Sequence, residues 1–119
     1  GIHELQARGV VNIIHSMGKL HWSVWKGIDV QLVGDLQERA TATAGDFDPQ
    51  GIANLVHSIA KMGIGMDAAL LEAMQGRATV RAGDFKPQDV SSVMWALAKM
   101  GVKMDEQLLE AMQQRARAA

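Results

Sequence analysis

Asp46-Phe47-Asp48-Pro49-Gln50 returns 38 residues later as Asp84-Phe85-Lys86-Pro87-Gln88. When segment 46–81 is aligned with segment 84–119, 18 of the 36 positions are identical. Repetition at a period of 20 to 50 residues is typical of stacked supersecondary units that share one continuous core. The sequence therefore predicts an array of repeats, and the spacing of the two pentapeptides defines the length of one unit.

A third and more diverged copy precedes these two. Its first half, residues 12–16 (Asn-Ile-Ile-His-Ser), matches residues 54–58 (Asn-Leu-Val-His-Ser) at a spacing of 42. Its second half, residues 39–41, matches residues 77–79 at a spacing of 38. The first copy therefore carries four extra residues in its middle. We predict a single domain over residues 1–119, built of repeats 4–45, 46–83 and 84–119.

Each copy carries the signals of two helices. Apolar residues recur at i, i+3, i+4 and i+7, as on the core-facing side of a helix. Proline in the first turn and glycine after the last are typical helix boundaries, and Asp is a favourable N-cap for the second helix. We therefore predict an all-α fold, a right-handed-type α-solenoid of three helical hairpins with six helices. The boundary residues are Pro49, Pro87, Gly63, Gly101, Asp29, Asp67 and Asp105.

Composition excludes several classes of function. The chain has no cysteine, which removes disulfides, thiol catalysis and thiolate metal sites. Twelve basic residues against thirteen acidic ones give a net charge of −1, without the overall basic excess of an obvious nucleic-acid binder. The longest apolar run, Val93–Ala98, is far too short to span a membrane, so no transmembrane segment is predicted.

The Phe-x-Pro-Gln opening, the 38-residue period and the stretch Val93–Gly101 (Val-Met-Trp-Ala-Leu-Ala-Lys-Met-Gly) resemble the octotricopeptide-repeat family of paired-helix solenoids. The resemblance extends from Glu4 to Ala119. It implies an organellar protein, in the plastid rather than the mitochondrion, and an RNA-binding role in transcript maturation, stability or translation. Related repeats also serve as protein subunits of organellar machines. The chain departs from the family pattern in having only three units.

A polar edge on each first helix is the candidate RNA-facing surface. If each repeat reads one nucleotide, Asn12, Asn54 and Ser92 would contact base edges. The lysines that follow them would contact phosphates. The alternative interpretation is an ordinary solvated helix face, whose lysines complement the helix C-termini. The remaining members of this edge are Ser16, Ser58, Lys19, Lys61 and Lys99.

His15, His57 and Trp95 occupy equivalent positions beside the core stripe. We expect them to pack against the neighbouring hairpin. No second histidine or carboxylate stands at ligand spacing in the same helix, and no pair of nucleophile and base is evident. We therefore predict no catalytic residue, no metal site, no cofactor and no enzymatic activity.

The insert in the first copy contains two of the three tryptophans. Tryptophan is enriched at binding hot spots, because a large rigid ring loses little entropy for the area it buries. This predicts a partner-binding loop, and the alternative is a loop that folds back over the end of the first hairpin. The candidate residues are His21, Trp22, Trp25 and Lys26.

Two functions remain open. The first is a non-enzymatic interaction module, an accessory subunit docked on the proteins of a larger organellar complex such as a photosystem or a ribosome. The second is an RNA-binding segment of a factor that acts on organellar transcripts and contacts single-stranded RNA. The third copy is as apolar as the second and has no polar cap, so either the array continues or a partner covers that end.

Overall fold

The computed structural model describes residues 1–20 and 29–118, and within these ranges it contains six α-helices and no β-strand. This confirms the predicted all-α fold class. A short 3-10 turn precedes each odd-numbered helix, at Ile2–Glu4, Ala44–Asp46 and Ala82–Asp84. The helices are α1 (Ala7–Gly18), α2 (Val30–Ala42), α3 (Pro49–Met62), α4 (Ala68–Val80), α5 (Pro87–Met100) and α6 (Glu106–Ala118).

The first helix of the second hairpin begins and ends where the sequence indicates. Pro49 is its first residue, where a missing N–H leaves no hydrogen bond unmade. The Asp48 carboxylate caps the helix by accepting a 2.7 Å hydrogen bond from the Gly51 N–H. Gly63 ends the helix with φ of 72°, a left-handed conformation that glycine adopts without steric cost. Pro87 and Gly101 repeat this arrangement in α5.

The second helices begin at the predicted aspartates, with one difference. Asp29 accepts a hydrogen bond from the Gln31 N–H at 2.9 Å, and Asp105 accepts one from the Gln107 N–H at 3.0 Å. Asp67 stands at the N-cap of α4, but its side chain makes no capping hydrogen bond. Asp67 is therefore the N-cap residue as predicted, although its carboxylate does not bond to the first turn of α4.

The helices form two layers. Helices α1, α3 and α5 pack side by side in one layer, and α2, α4 and α6 in the other. The core lies between the layers, where Phe47 and Phe85 are fully buried at equivalent places in successive hairpins. The molecule measures 42 × 28 × 21 Å, as expected for a short stack of hairpins.

An arginine joins the two helices of each hairpin at their far ends. Its Nε–H donates to the backbone carbonyl of the residue two positions before the first helix. This carbonyl lies outside the helix and has no intrahelical partner, so the arginine satisfies a group that folding would otherwise leave unpaired. The donor–acceptor pairs are Arg39 with Leu5 at 2.6 Å, Arg77 with Phe47 at 2.9 Å and Arg115 with Phe85 at 2.6 Å.

A glutamine joins each hairpin to the next. The Gln37 side chain donates to the Gly65 carbonyl at 3.0 Å and accepts from the Asp67 N–H at 2.7 Å. Gln75, one repeat later, accepts from the Asp105 N–H at 2.7 Å. The second helix of each of the first two hairpins therefore hydrogen-bonds to the start of the second helix in the next hairpin. These bonds fix the register between neighbouring hairpins.

Close contact between α1 and α3 depends on a small residue. A Cβ atom placed on Gly18 would lie 3.3 Å from the Cβ of Ser58, tighter than most van der Waals contacts. The equivalent positions one repeat later are Ala60 and Ala96, and both are buried. The first-helix layer is therefore packed through small side chains, which let neighbouring helices approach.

Candidate functional site

The polar edge of the first helices is largely at the surface, but it is not uniform. Asn12, Ser16 and the three lysines at positions 19, 61 and 99 are exposed, and Asn54 and Ser92 are half-buried. Ser58 differs, because it is buried against Gly18 in the contact between α1 and α3. Its hydroxyl is thus withdrawn from the surface on which the sequence pattern placed it.

Two open grooves run between neighbouring first helices near their N-terminal ends. The groove between α1 and α3 has a volume of about 310 Å³ and is lined by Asn12 and Asn54 among others. The groove between α3 and α5 has a volume of about 390 Å³ and is lined by Asn54 and Ser92. The structure therefore brings the three predicted base-reading residues together in pairs, with Asn54 shared.

Charged groups of both signs surround these grooves. Arg8 and Asp48 line the first groove, and Arg81, Lys86 and Asp89 line the second. Amide, hydroxyl and guanidinium groups can exchange hydrogen bonds with the edges of a base, whereas the carboxylates oppose a phosphate. The grooves thus suit a base edge better than a nucleic-acid backbone.

An aromatic and basic row crosses the opposite ends of the same helices. The ring of His57 lies 4.7 Å from the ring of Trp95, with an angle of 32° between their planes. The Nζ atom of Lys99 lies 5.6 Å from the centre of the Trp95 ring, within reach of a cation–π interaction. The contact between His57 and Trp95 confirms that these residues pack across the hairpins.

Sequence reasoning missed the exposure of this row. Trp95 remains 45% exposed, so one large aromatic ring is offered to solvent beside a lysine. A lysine follows the aromatic position by four residues in every copy, at His15 and Lys19, His57 and Lys61, and Trp95 and Lys99. That repeated spacing could have predicted an aromatic and basic surface, whereas we expected these residues only to pack against the neighbouring hairpin.

His15 adds little charge to the row. Burial lowers the pKa of its imidazole below the usual 6.5, and electrostatic repulsion from Lys19, His57 and Lys61 lowers it further. Its Nδ1 atom is buried without a hydrogen-bond partner in the described part of the chain. His15 is therefore mainly neutral near pH 7 and adds little positive charge beside Lys19 and Lys61.

The end of the array is apolar. We call the outer side of the third hairpin the end face, formed by Ser91, Met94, Ala98, Leu109 and Gln113. Met94 is 38% exposed, whereas its equivalent in the second repeat, Val56, is 2% exposed because the third repeat covers it. The end face is therefore equivalent to the surface through which the second hairpin packs against the third.

The candidates His21, Trp22, Trp25 and Lys26 lie outside the described residues, so the partner-binding loop stays a prediction. Within residues 1–20 and 29–118, no group of three histidine, aspartate or glutamate side chains could hold a metal ion. No helix in the same ranges is long and apolar enough to cross a membrane.

These features define a helical-repeat protein with a polar first-helix face and an apolar end. The chain belongs to the family described as RNA-editing substrate-binding complex 6 protein, which it matches over residues 23–107. The match extends from before α2 to the beginning of α6. A comparison with curated proteins gives no match.

The assignment to the octotricopeptide-repeat family is therefore wrong. The residues that suggested it are the ones that begin and end a helix of this length, with proline in the first turn and glycine after the last. Any array of paired helices with a similar period meets the same requirements. The resemblance therefore predicted the fold class correctly and the family wrongly.

Proposed function

We propose that this chain is a non-enzymatic helical-repeat subunit of an RNA-editing substrate-binding complex, in which its end face binds a protein partner. The family supports an RNA-editing complex as the host, in place of the photosystem or ribosome expected from the sequence. It also supports the mitochondrion in place of the plastid as the location. The single observation that carries the proposal is the exposed apolar end of the third repeat.

The chemistry of the end face favours a protein over a nucleic acid. None of its five residues is charged, and charged residues are typically depleted at the centre of a protein–protein interface. Met94 and Leu109 are each just over one-third exposed, and burying the remaining part of each side chain is worth roughly 0.5–1 kcal/mol. A nucleic acid would gain little here, because most of its affinity comes from neutralised phosphates.

Replacing Met94 and Leu109 together with aspartate should abolish association with the complex. The two added carboxylates would have to be buried against the partner without a counter-charge. The test is affinity isolation of the tagged full chain from its own cells, followed by identification of the co-purifying proteins. Val80→Asp is the matched control, because Val80 is an exposed apolar residue on α4 outside the end face. Retention of the same partners by the double variant would contradict the proposal.

RNA contact at the first-helix face is a second candidate function. It is favoured by the contact between the rings of His57 and Trp95 beside Lys99. Single-stranded nucleic acids are bound by aromatic side chains that stack on bases, together with cations that follow the phosphates. Three lysine contacts would give a slope of about −2 for log affinity against log salt.

Replacing Lys61 and Lys99 with glutamine should weaken binding to single-stranded RNA and make the salt slope shallower by about 1.4. Fluorescence polarisation of a labelled RNA across a salt series measures both effects. Lys103→Gln with Arg117→Gln removes the same charge outside this face and should leave the slope unchanged. Equal slopes for the two double variants would contradict an RNA site at the first-helix face.

A further inference from the structure

The groove between α3 and α5 lies inside the array, with a described hairpin on each side of it. Its volume is about 390 Å³, and four uncharged polar side chains help to line it. Gln50 and Gln88 lie near the start of the two helices, and Asn54 and Ser92 follow one turn later. Asn54 also lines the groove between α1 and α3, so one amide is shared by both grooves.

The amide groups of this groove are free to bind a ligand. In the described part of the chain, the side chains of Gln50, Asn54 and Gln88 make no hydrogen bond. Asn54 is half-buried, so packing restricts the positions that its amide can take. An amide offers a donor and an acceptor side by side. The groove therefore suits a ligand that presents an acceptor and a donor at the same spacing.

The charged groups of the groove are mostly engaged within the fold. The Asp48 carboxylate accepts from a backbone N–H in the first turn of α3 at 2.7 Å, and the Asp89 carboxylate accepts from the Lys86 N–H at 3.2 Å. Arg81 is paired with Asp84 at 3.0 Å. A ligand that enters the groove therefore meets amides and a hydroxyl in place of a dominant charge of either sign. This chemistry matches the edge of a nucleobase.

The same helix face places a ring and a lysine beyond the amide. Asn54, His57 and Lys61 stand at i, i+3 and i+7 of α3, a spacing that brings residues to one side of a helix. At a rise of about 1.5 Å per residue, the lysine lies about 10 Å along the axis from the amide, with the ring between them. A nucleotide carries its groups in the same order, from the edge of the base through its flat face to the phosphate. One nucleotide can therefore lie along a first helix.

The distance between neighbouring helices requires an unstacked strand. Packed helices lie about 8–10 Å apart, whereas successive nucleotides of a stacked strand are about 3.4 Å apart. A strand that crosses from α3 to α5 and places a nucleotide on each must therefore separate its bases. Only a single strand can do this, and its separated bases expose the edges that paired bases hide.

We infer that Asn54 makes the groove between α3 and α5 a binding site for adenine in single-stranded RNA. This rests on the second candidate function, RNA contact at the first-helix face. Adenine presents a neighbouring donor and acceptor on two edges, with N6 beside N1 on the pairing edge and N6 beside N7 on the edge that faces the major groove. An asparagine amide can form two hydrogen bonds with either edge.

The other bases match the amide less well. On the edge that faces the major groove, guanine presents the two acceptors N7 and O6, cytosine only the N4 donor and uracil only the O4 acceptor. Each of them can form two hydrogen bonds to the amide on its pairing edge alone, so adenine has a way to bind that they lack. One good pair of hydrogen bonds discriminates between bases by about fivefold or more.

Base dependence is measured with single-base changes in one RNA. The probe is a fluorescently labelled oligouridine, compared by polarisation with the same strand in which one central residue is adenosine, cytidine or guanosine. The strand can shift along the protein until that residue occupies the groove, so the register of binding need not be known. Wild-type protein should bind the adenosine strand about fivefold more tightly than the other three.

Asn54→Leu should abolish this preference and leave the salt dependence of binding unchanged, because it removes the amide and keeps a side chain of similar size. Asn54→Asp is a second variant that accepts hydrogen bonds but cannot donate, so N1 or N7 of adenine loses its partner. Gln114→Leu is the matched control, since it removes an exposed amide from α6 in the other layer, and it should keep the preference. Circular dichroism of each variant checks that its helices remain.

The lysines provide the reverse separation. Lys61→Gln with Lys99→Gln should weaken binding of all four strands and keep the ratios between them, because contacts to phosphates carry no base identity. Equal binding of the four strands by the wild type, or an adenosine preference that survives in the Asn54 variants, would overturn the adenine site and leave RNA contact standing. Absence of binding to every strand at low salt would overturn both.

Discussion

Phe47→Ala is expected to lower the free energy of unfolding by about 3–5 kcal/mol, the largest loss that we predict for a single truncation in this chain. Phe47 is 1% exposed and begins the second hairpin, between the two layers of helices. Truncation removes the apolar contacts of the ring and leaves a cavity that the surrounding helices fill only in part. This loss is a large part of the total, because small domains are stable by only about 5–15 kcal/mol.

The position of Phe47 in the middle hairpin strengthens this effect. In a repeat array each unit is stabilised chiefly by its neighbours, so damage to the middle unit weakens both of its interfaces. Loss of α3 would expose the sides of α1 and α5 that pack against it. We therefore expect the whole array to unfold in one transition rather than one hairpin at a time.

Urea denaturation followed by far-ultraviolet circular dichroism measures the change in unfolding free energy. Val80→Ala is the control, because Val80 is exposed and its truncation leaves no cavity. Phe47→Leu should lie between the two variants, since it keeps most of the buried volume. A Phe47→Ala variant that matched Val80→Ala in its midpoint would show that Phe47 is not part of the core.

The helices could be predicted from the sequence because their signals are local. Pro49 and Gly63 lie at the two ends of one helix, and each acts through the conformation of its own backbone. The period then showed that the same helix returns in the next copy. The all-α fold class was therefore correct, and six helices are found within residues 1–20 and 29–118.

Burial across repeats could not be predicted in this way. Ser16 and Ser58 occupy the same place in two copies, yet Ser16 is exposed and Ser58 is buried. The difference lies in whether another hairpin precedes them, and no property of the serines or of their own helices encodes it. Trp95 is equivalent to His57 and shows the same effect, since α5 has no following helix in the described array to cover its outer side.

The long-range hydrogen bonds of the stack were also beyond sequence reasoning. Arg77 and Gln75 recur in the copies, but the sequence does not show that one binds the Phe47 carbonyl and the other the Asp105 N–H. Every residue type has a backbone carbonyl, and all except proline have a backbone N–H. A side chain that binds such a group therefore has no characteristic partner residue that the sequence could reveal. The spacing repeated within the chain therefore indicated the helices but not the hydrogen bonds that join them.

Gly18→Leu is expected to lower the free energy of unfolding by about 1–3 kcal/mol, the typical result of inserting atoms into a packed contact. The first added carbon would already lie 3.3 Å from the Cβ of Ser58 and 3.6 Å from its Cα, so the backbone of α3 limits relief. A leucine favours helix over glycine by up to about 1 kcal/mol, which offsets only part of this loss.

The repeat supplies a matched control for this substitution. Ala98 is the third-repeat equivalent of Gly18, but it is exposed on the end face, where no hairpin of the described array opposes it. Ala98→Leu should therefore leave the unfolding midpoint close to that of the wild type under dilute conditions. If the two leucine variants unfolded at the same urea concentration, close approach of α1 and α3 would not be what requires glycine at position 18. If Gly18→Leu alone is destabilised, the requirement arises from the stacking of hairpins, because the same change is harmless where stacking stops.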